Sequence, residues 1–288
     1  MKLCTFEHKT QKQAGIVRDG KILPVAEVNA RQGTKFPEEL LALIESGSIE
    51  ELKQACAAVQ AELPLSEVRL RLPYENPPKI WCIGLNYYSH AQDIKAVQPE
   101  EPGSFMKPTS TLFEPDGTIE LPPEDMSREV DAEGELGLIF GKRCRDVPLE
   151  AVPEVLLGYT TTLDMTALDI LARNPRYLQR SKSFDTFFSF GPVIVTADEI
   201  DDVSALEVVT LHNGKEFSRD FVRNMRHLPF KLAAFHTAVM TFEPGAILST
   251  GCPKGARIQP ADRVEARIEG VGRLQANVGR REKKPWHR

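Results

Sequence analysis

The run Glu129-Val130-Asp131-Ala132-Glu133-Gly134-Glu135-Leu136-Gly137-Leu138-Ile139-Phe140-Gly141 carries an acidic cluster directly into an apolar segment. Its composition predicts a strand, and a strand sends residues i and i+2 to the same face. Glu133 and Glu135 are therefore expected side by side, with only the hydrogen of Gly134 between them. Two adjacent carboxylates repel unless something positive lies between them. A hard divalent cation meets that need, because Mg²⁺ or Mn²⁺ favours carboxylate oxygens and leaves positions open for water and substrate. An arbitrary Glu-x-Glu is far more often an exposed acidic strand end, so the reading needs partners elsewhere in the chain.

A third carboxylate is offered by Asp164, in a β-rich run from Gly158 that turns helical in character after it. The commoner fate of an aspartate so placed is to cap the helix, and that alternative stays open. Asp169 reads as a structural partner. Upstream, His90 and Asp93 are three residues apart and share a face if their segment is helical, so the carboxylate could orient the imidazole as a general base. Lys182 falls in the stretch Arg180-Ser181-Lys182-Ser183, read as a polar loop before an apolar strand. From there it could bind an anionic substrate or steady a developing enolate.

Around these residues the chain is that of an ordinary globular protein: 288 residues, 41% hydrophobic and 27% charged, with a formal net charge of −5. No basic surface is large enough to neutralise a row of phosphates, so nucleic acid is not an expected partner. The basic tail Arg280-Arg281-Glu282-Lys283-Lys284 reads as a solvated terminus. Five scattered cysteines without a Cys-x-x-Cys pair read as reduced thiols. The start turns charged too early for a signal peptide and no apolar run could span a bilayer, so a cytoplasmic location without membrane contact is expected. Gly-x-Ser-x-Gly and His-Glu-x-x-His are both absent, which argues against a serine hydrolase and a zinc peptidase.

Residues 15–23 read as a hairpin closed by Asp19-Gly20, and 37–47 and 48–60 as helices. Prolines in 73–78 mark a boundary between a small N-terminal α/β domain, 1–72, and a catalytic domain, 73–288. Short strand-like runs follow at 79–83, 136–140, 192–196, 206–212, 246–249 and 263–268. They lack regular alternation with long helices, so an irregular, β-rich α+β fold is expected.

Five separated motifs occur in one order: Gly-Leu-Asn-Tyr-x-x-His at 84–90, Phe-Met-Lys-Pro at 105–108, Glu-Gly-Glu-Leu at 133–136, Lys-Ser-Phe-Asp-Thr at 182–186 and Ser-Thr-Gly at 249–251. In these the chain resembles the fumarylacetoacetate hydrolase family over 79–278. The resemblance implies a mixed β-roll catalytic domain, usually a homodimer, with Mg²⁺ or Mn²⁺ on Glu133, Glu135 and Asp164. It further implies that His90 works with Asp93, that Lys182 lies at the site, and that Tyr87, Lys107, Thr250 and Gly251 contact substrate. Three positions depart from the family pattern: Asp93 stands where glutamate is common, Leu163 where asparagine is common, and Cys252 replaces threonine in Thr-Gly-Thr-Pro. The reaction implied is hydrolysis of a carbon–carbon bond in a small 1,3-diketo acid or acylpyruvate. Decarboxylation of an oxaloacetate-like acid and keto–enol isomerisation are the alternatives, and a catalytically silent ligand-binding protein is a further one.

Overall fold

The strand Leu156–Ala167 is buried along its whole length and pairs antiparallel with Val130–Phe140. Such a pair has to be covered on both faces, and the rest of the chain supplies the cover. The computed structural model describes residues 1–93 and 97–282, the side chain of Asp93 excepted. Lys283 and Lys284 of the basic tail lie outside the described residues.

The pair is central to a twelve-stranded sheet. Its path runs Leu63–Pro64, Lys21–Pro24, Gln11–Arg18, Lys2–His8, Phe188–Thr196, Leu156–Ala167, Val130–Phe140, Ile247–Ser249, Ile80–Gly84, Gly103–Met106. Arg69–Arg71 adds to Lys2–His8, and Ala256–Ile258 to Val130–Phe140. A second sheet of five strands, in the order Lys215–Phe221, Glu207–His212, Arg263–Ile268, Gly272–Arg280, Thr118–Leu121, packs over the central pair. Leu136, Leu138, Val208 and Ile268 fill one part of the space between the sheets, and Leu163, Met165, Ala266 and Leu274 another. A separate core joins helices Val25–Gln32, Leu40–Glu45 and Ile49–Cys56 to the large sheet through Val28, Leu43, Leu52, Leu3, Ile139 and Ile194. The fold is a strand-rich α+β arrangement, as the sequence predicts.

Local signals in the N-terminal segment translate directly. Arg18 pairs with Lys21 across Asp19 (φ 51°) and Gly20 (φ 73°), the left-handed pair that a tight hairpin requires. Helix Leu40–Glu45 lies inside the predicted 37–47 and ends before Gly47 at φ 72°. The sheet runs unbroken across the proposed division at residue 73, because Leu3 pairs with Ile194. The two segments 1–72 and 73–288 therefore remain a proposed division of the chain, with one sheet common to both.

Gly134 has a different task from the one its spacing suggested. Alternation sends it to the face opposite Glu133 and Glu135, where a Cβ would lie 2.7 Å from Thr210 Oγ1 and 2.9 Å from Ala266 Cβ. The glycine lets the second sheet approach the backbone of the strand Val130–Phe140. Gly134→Ala is expected to cost about 1–3 kcal/mol of stability, measured by urea unfolding, as overpacking does. An unchanged midpoint would show that the sheets part without penalty.

Candidate active site

Antiparallel register sets Asp164 directly opposite Glu133 and Thr162 opposite Glu135, and opposed residues share a face. Three carboxylates are thereby gathered on one side of the central strands, with Glu135 and Asp164 wholly buried and Glu133 8% exposed. Asp164 is not a helix cap: its strand continues to Ala167 before the helix Leu168–Arg173 begins. Asp169, at that helix start, accepts from Ser127 Oγ at 2.6 Å and Arg128 N–H at 3.2 Å, a structural role. Leu163 opposes Gly134 and sits in the core between the sheets, so the family's asparagine position is turned away from the carboxylates.

Lys182 is not in a polar loop. It closes the helix Leu178–Lys182 and is buried, and its ammonium donates to Glu133 Oε2 at 3.0 Å and Asp164 Oδ2 at 2.8 Å. The hydrophilic look of its neighbours hides this, because a lysine is buried only where carboxylates from elsewhere in the fold meet it. Lys107 is buried as well. It forms an ion pair with Asp164 Oδ1 and donates to the carbonyls of Met165 (3.1 Å) and Phe187 (2.6 Å), which commits its ammonium to the protein.

Glu133 Oε1 accepts from the Thr166 hydroxyl. Glu135 Oε2 accepts from the Ser249 hydroxyl and, at 2.9 Å, from the Gly251 N–H, while its Oε1 has no hydrogen-bond partner among the described residues. Burial alone would raise the Glu133 carboxyl, but Lys182, His90 and Thr166 outweigh it and hold Glu133 below the ordinary glutamate range. Glu135 goes the other way: burial, reinforced by the charges of Asp164 and Glu133, pushes it up to about 8. Lys182 is lifted above the usual lysine range, since Asp164, Glu133 and Glu135 more than offset its burial. Burial instead lowers Lys107, Asp164 notwithstanding.

Three carboxylates thus face two ammonium groups, and the excess falls on Glu135. An oxygen of Glu133, an oxygen of Glu135 and Cys252 Sγ lie within 4.8 Å of one another. A buried, unpartnered carboxylate oxygen in such a cluster fits a divalent cation.

The loop beside this cluster is held from below. Asn86 Nδ2 donates to the carbonyls of Thr250 (2.8 Å) and His227 (3.0 Å), and Thr250 Oγ1 donates to Leu136 O at 2.8 Å. Gly251 has φ 92°, and a Cβ there would meet Asn86 Cβ at 2.9 Å. Leu85, just before Asn86, is itself left-handed at φ 56°, strain of the kind that collects where a loop is held for function. Tyr87 is fully buried and its hydroxyl has no partner among the described residues. His90 is half-buried in the helix Tyr88–Asp93 and near enough to Glu133 to act on its charge. Asp93 closes that helix, and its side chain lies outside the described residues.

The sequence motifs do not single out Thr166, Ser249, Asn86 or Cys252, which the fold brings to the carboxylates or to the loop beside them. Thr166 is two residues beyond Asp164 on a strand, a spacing that could have identified it, and Ser249 and Asn86 lie inside the quoted motifs. Cys252 was noticed only as a departure.

Residues 79–279 match the family described as Fumarylacetoacetate (FAA) hydrolase C-terminal. The chain belongs to the fumarylacetoacetate hydrolase family. A maleylpyruvate hydrolase from Sphingobium sp. SYK-6, solved with manganese(II) and pyruvate, is similar at 30% identity and TM-score 0.80, covering 98% of this chain and 100% of that one. A 5-carboxymethyl-2-hydroxymuconate delta-isomerase from Mycobacterium smegmatis is similar at 28% identity and TM-score 0.76, with the same coverage. The mitochondrial oxaloacetate tautomerase of Rattus norvegicus is 33% identical over 248 residues, 82% of this chain and 78% of that one. Fumarylacetoacetate hydrolase relatives thus include a hydrolase, an isomerase and a tautomerase, and this chain is an enzyme of that family. Among the described residues no helix is long and apolar enough to cross a membrane.

Proposed function

We propose that this protein hydrolyses a carbon–carbon bond in a small 1,3-diketo acid or acylpyruvate with the help of Mg²⁺ or Mn²⁺. The observation that carries the reading is the buried carboxylate cluster, which holds the Lys182 ammonium through Glu133 and Asp164 and leaves one Glu135 oxygen without a partner among the described residues. Glu133, Glu135 and Asp164 would hold the metal. A divalent cation there would supply Lewis-acid polarisation of the keto acid's oxygens.

The remaining work falls to the chain's own groups. His90, which the family resemblance pairs with Asp93, takes a proton from water as the water oxygen attacks the acyl carbonyl carbon. The carbon–carbon bond breaks with its electron pair left on the other fragment as an enolate, and the proton is returned to that carbon. Lys182, a fixed ammonium in a dry site, balances the negative charge that develops. Thr250, Gly251 and Tyr87 would contact the substrate, and Lys107, whose ammonium pairs with Asp164, would act through that carboxylate. Homodimer formation, which rests on the family resemblance, and a cytoplasmic location belong to the same proposal.

A second reading is favoured by the similarity to the oxaloacetate tautomerase. Tautomerisation, like decarboxylation, needs the same stabilised enolate without attack by water. Turnover of an acylpyruvate in heavy-oxygen water separates these reactions, because only hydrolysis puts solvent oxygen into a new carboxylate. His90→Ala is expected to slow hydrolysis by about 10²–10⁴-fold while Mn²⁺ affinity, measured by calorimetry, stays within a small factor. Unchanged turnover would remove the histidine from the mechanism. Keto-acid binding without turnover on a broad panel would favour a silent binder.

A further inference from the structure

We infer that Cys252 is itself a metal ligand, its Sγ adding a sulfur donor beside Glu133 and Glu135 so that the site prefers borderline and soft divalent cations to Mg²⁺. The inference rests on the reading above that Glu133 and Glu135 hold a metal, and it adds a preference among the metals that site can take. Two independent observations converge on the position. Cys252 is buried, and its Sγ lies within 4.8 Å of an oxygen of each glutamate, so small side-chain rotations bring all three donors onto one ion. Glu135, wholly buried in the same cluster, keeps Oε1 without a hydrogen-bond partner among the described residues.

The loop that carries the thiol is fixed against the same glutamate, through the Gly251 N–H on Glu135 Oε2 and the close seat of Gly251 on Asn86. A threonine here offers a hydroxyl, a hard and weak donor. A thiolate instead selects Zn²⁺, Co²⁺ or Cd²⁺, whereas Mg²⁺ keeps to oxygen ligands.

The test is metal titration of the full chain with Cd²⁺, Co²⁺ and Mg²⁺, followed by absorbance and calorimetry. Wild type should develop a thiolate-to-metal charge-transfer band in the near ultraviolet with Co²⁺. Cys252→Thr should lose the band and bind Cd²⁺ about 10–100-fold more weakly, with Mg²⁺ affinity changed by less than about 3-fold. Cys82→Ser should retain the band, because Cys82 lies outside the donor cluster. Thermal unfolding of each variant checks that it is folded. Binding of Co²⁺ and Cd²⁺ with no charge-transfer band, or a band that survives in Cys252→Thr, would overturn the inference and leave the glutamate site standing. Failure of every metal to bind wild type would overturn both.

Discussion

Glu135→Gln is expected to reduce metal-dependent turnover by at least about 10²–10³-fold and to abolish the thermal stabilisation that Mn²⁺ gives the wild type. The same variant should change the pH dependence of the metal-free protein. Folding raises the Glu135 carboxyl from an ordinary 4.5 to about 8, through burial first and then the charges of Asp164 and Glu133. The folded chain therefore keeps a proton that the unfolded chain releases once pH passes 4.5. Its contribution to stability is fully present below that pH, declines through the interval and is gone above about 8. Glutamine does not titrate, so melting curves of Glu135→Gln without metal should lack that decline. In the wild type, metal at neutral pH should displace the proton, measurable as buffer-dependent heat in calorimetry. A variant that retained full turnover with Mg²⁺ or Mn²⁺ would remove Glu135 from the site.

Lys182→Met should destabilise the metal-free protein by about 3–5 kcal/mol, the usual cost of leaving buried carboxylates without their cation. Its ammonium is the described partner of Glu133 Oε2 and Asp164 Oδ2, and Lys107 reaches only the far oxygen of Asp164. Methionine nearly fills the space while supplying no charge. Saturating Mn²⁺ should recover part of the loss, since a bound cation compensates the same carboxylates. Urea unfolding with and without metal reads both effects. A loss below about 1 kcal/mol would mean that protonation of Glu133 replaces the lysine at little cost.

What could be read before folding was what depends on nearest neighbours. The i, i+2 placement of Glu133 and Glu135 is a property of any strand, and the Asp19-Gly20 hairpin and the helix ending before Gly47 are set by local backbone preferences. Strand register is a different matter. Nothing near Asp164 announces that it will stand opposite Glu133, and so the helix-cap alternative stayed open until the pairing was known. Burial of charge was hidden for the same reason: Lys182 and Lys107 look like surface lysines until carboxylates from distant segments arrive around them. Spacing ties Gly134 to Glu133 and Glu135, whereas its contacts in the fold, Thr210 and Ala266, belong to the other sheet. Cys252 was an oddity in a motif, and only three-dimensional proximity makes it a donor.

The place of the first strand in the large sheet has a consequence for how the chain is made. Lys2–His8 can zip onto Gln11–Arg18 as soon as both have left the ribosome, and residues 5–7 gain Arg69–Arg71 soon after, but residues 2–4 wait for Val193, Ile194 and Val195. An early-born hairpin must therefore stay soluble through much of synthesis before its outer partner arrives, which places this topology among slow, long-range assemblies. The dependence is mutual. A form beginning after the hairpin would present 193–195 as a bare, apolar edge, the kind of surface on which strands from separate chains add to one another.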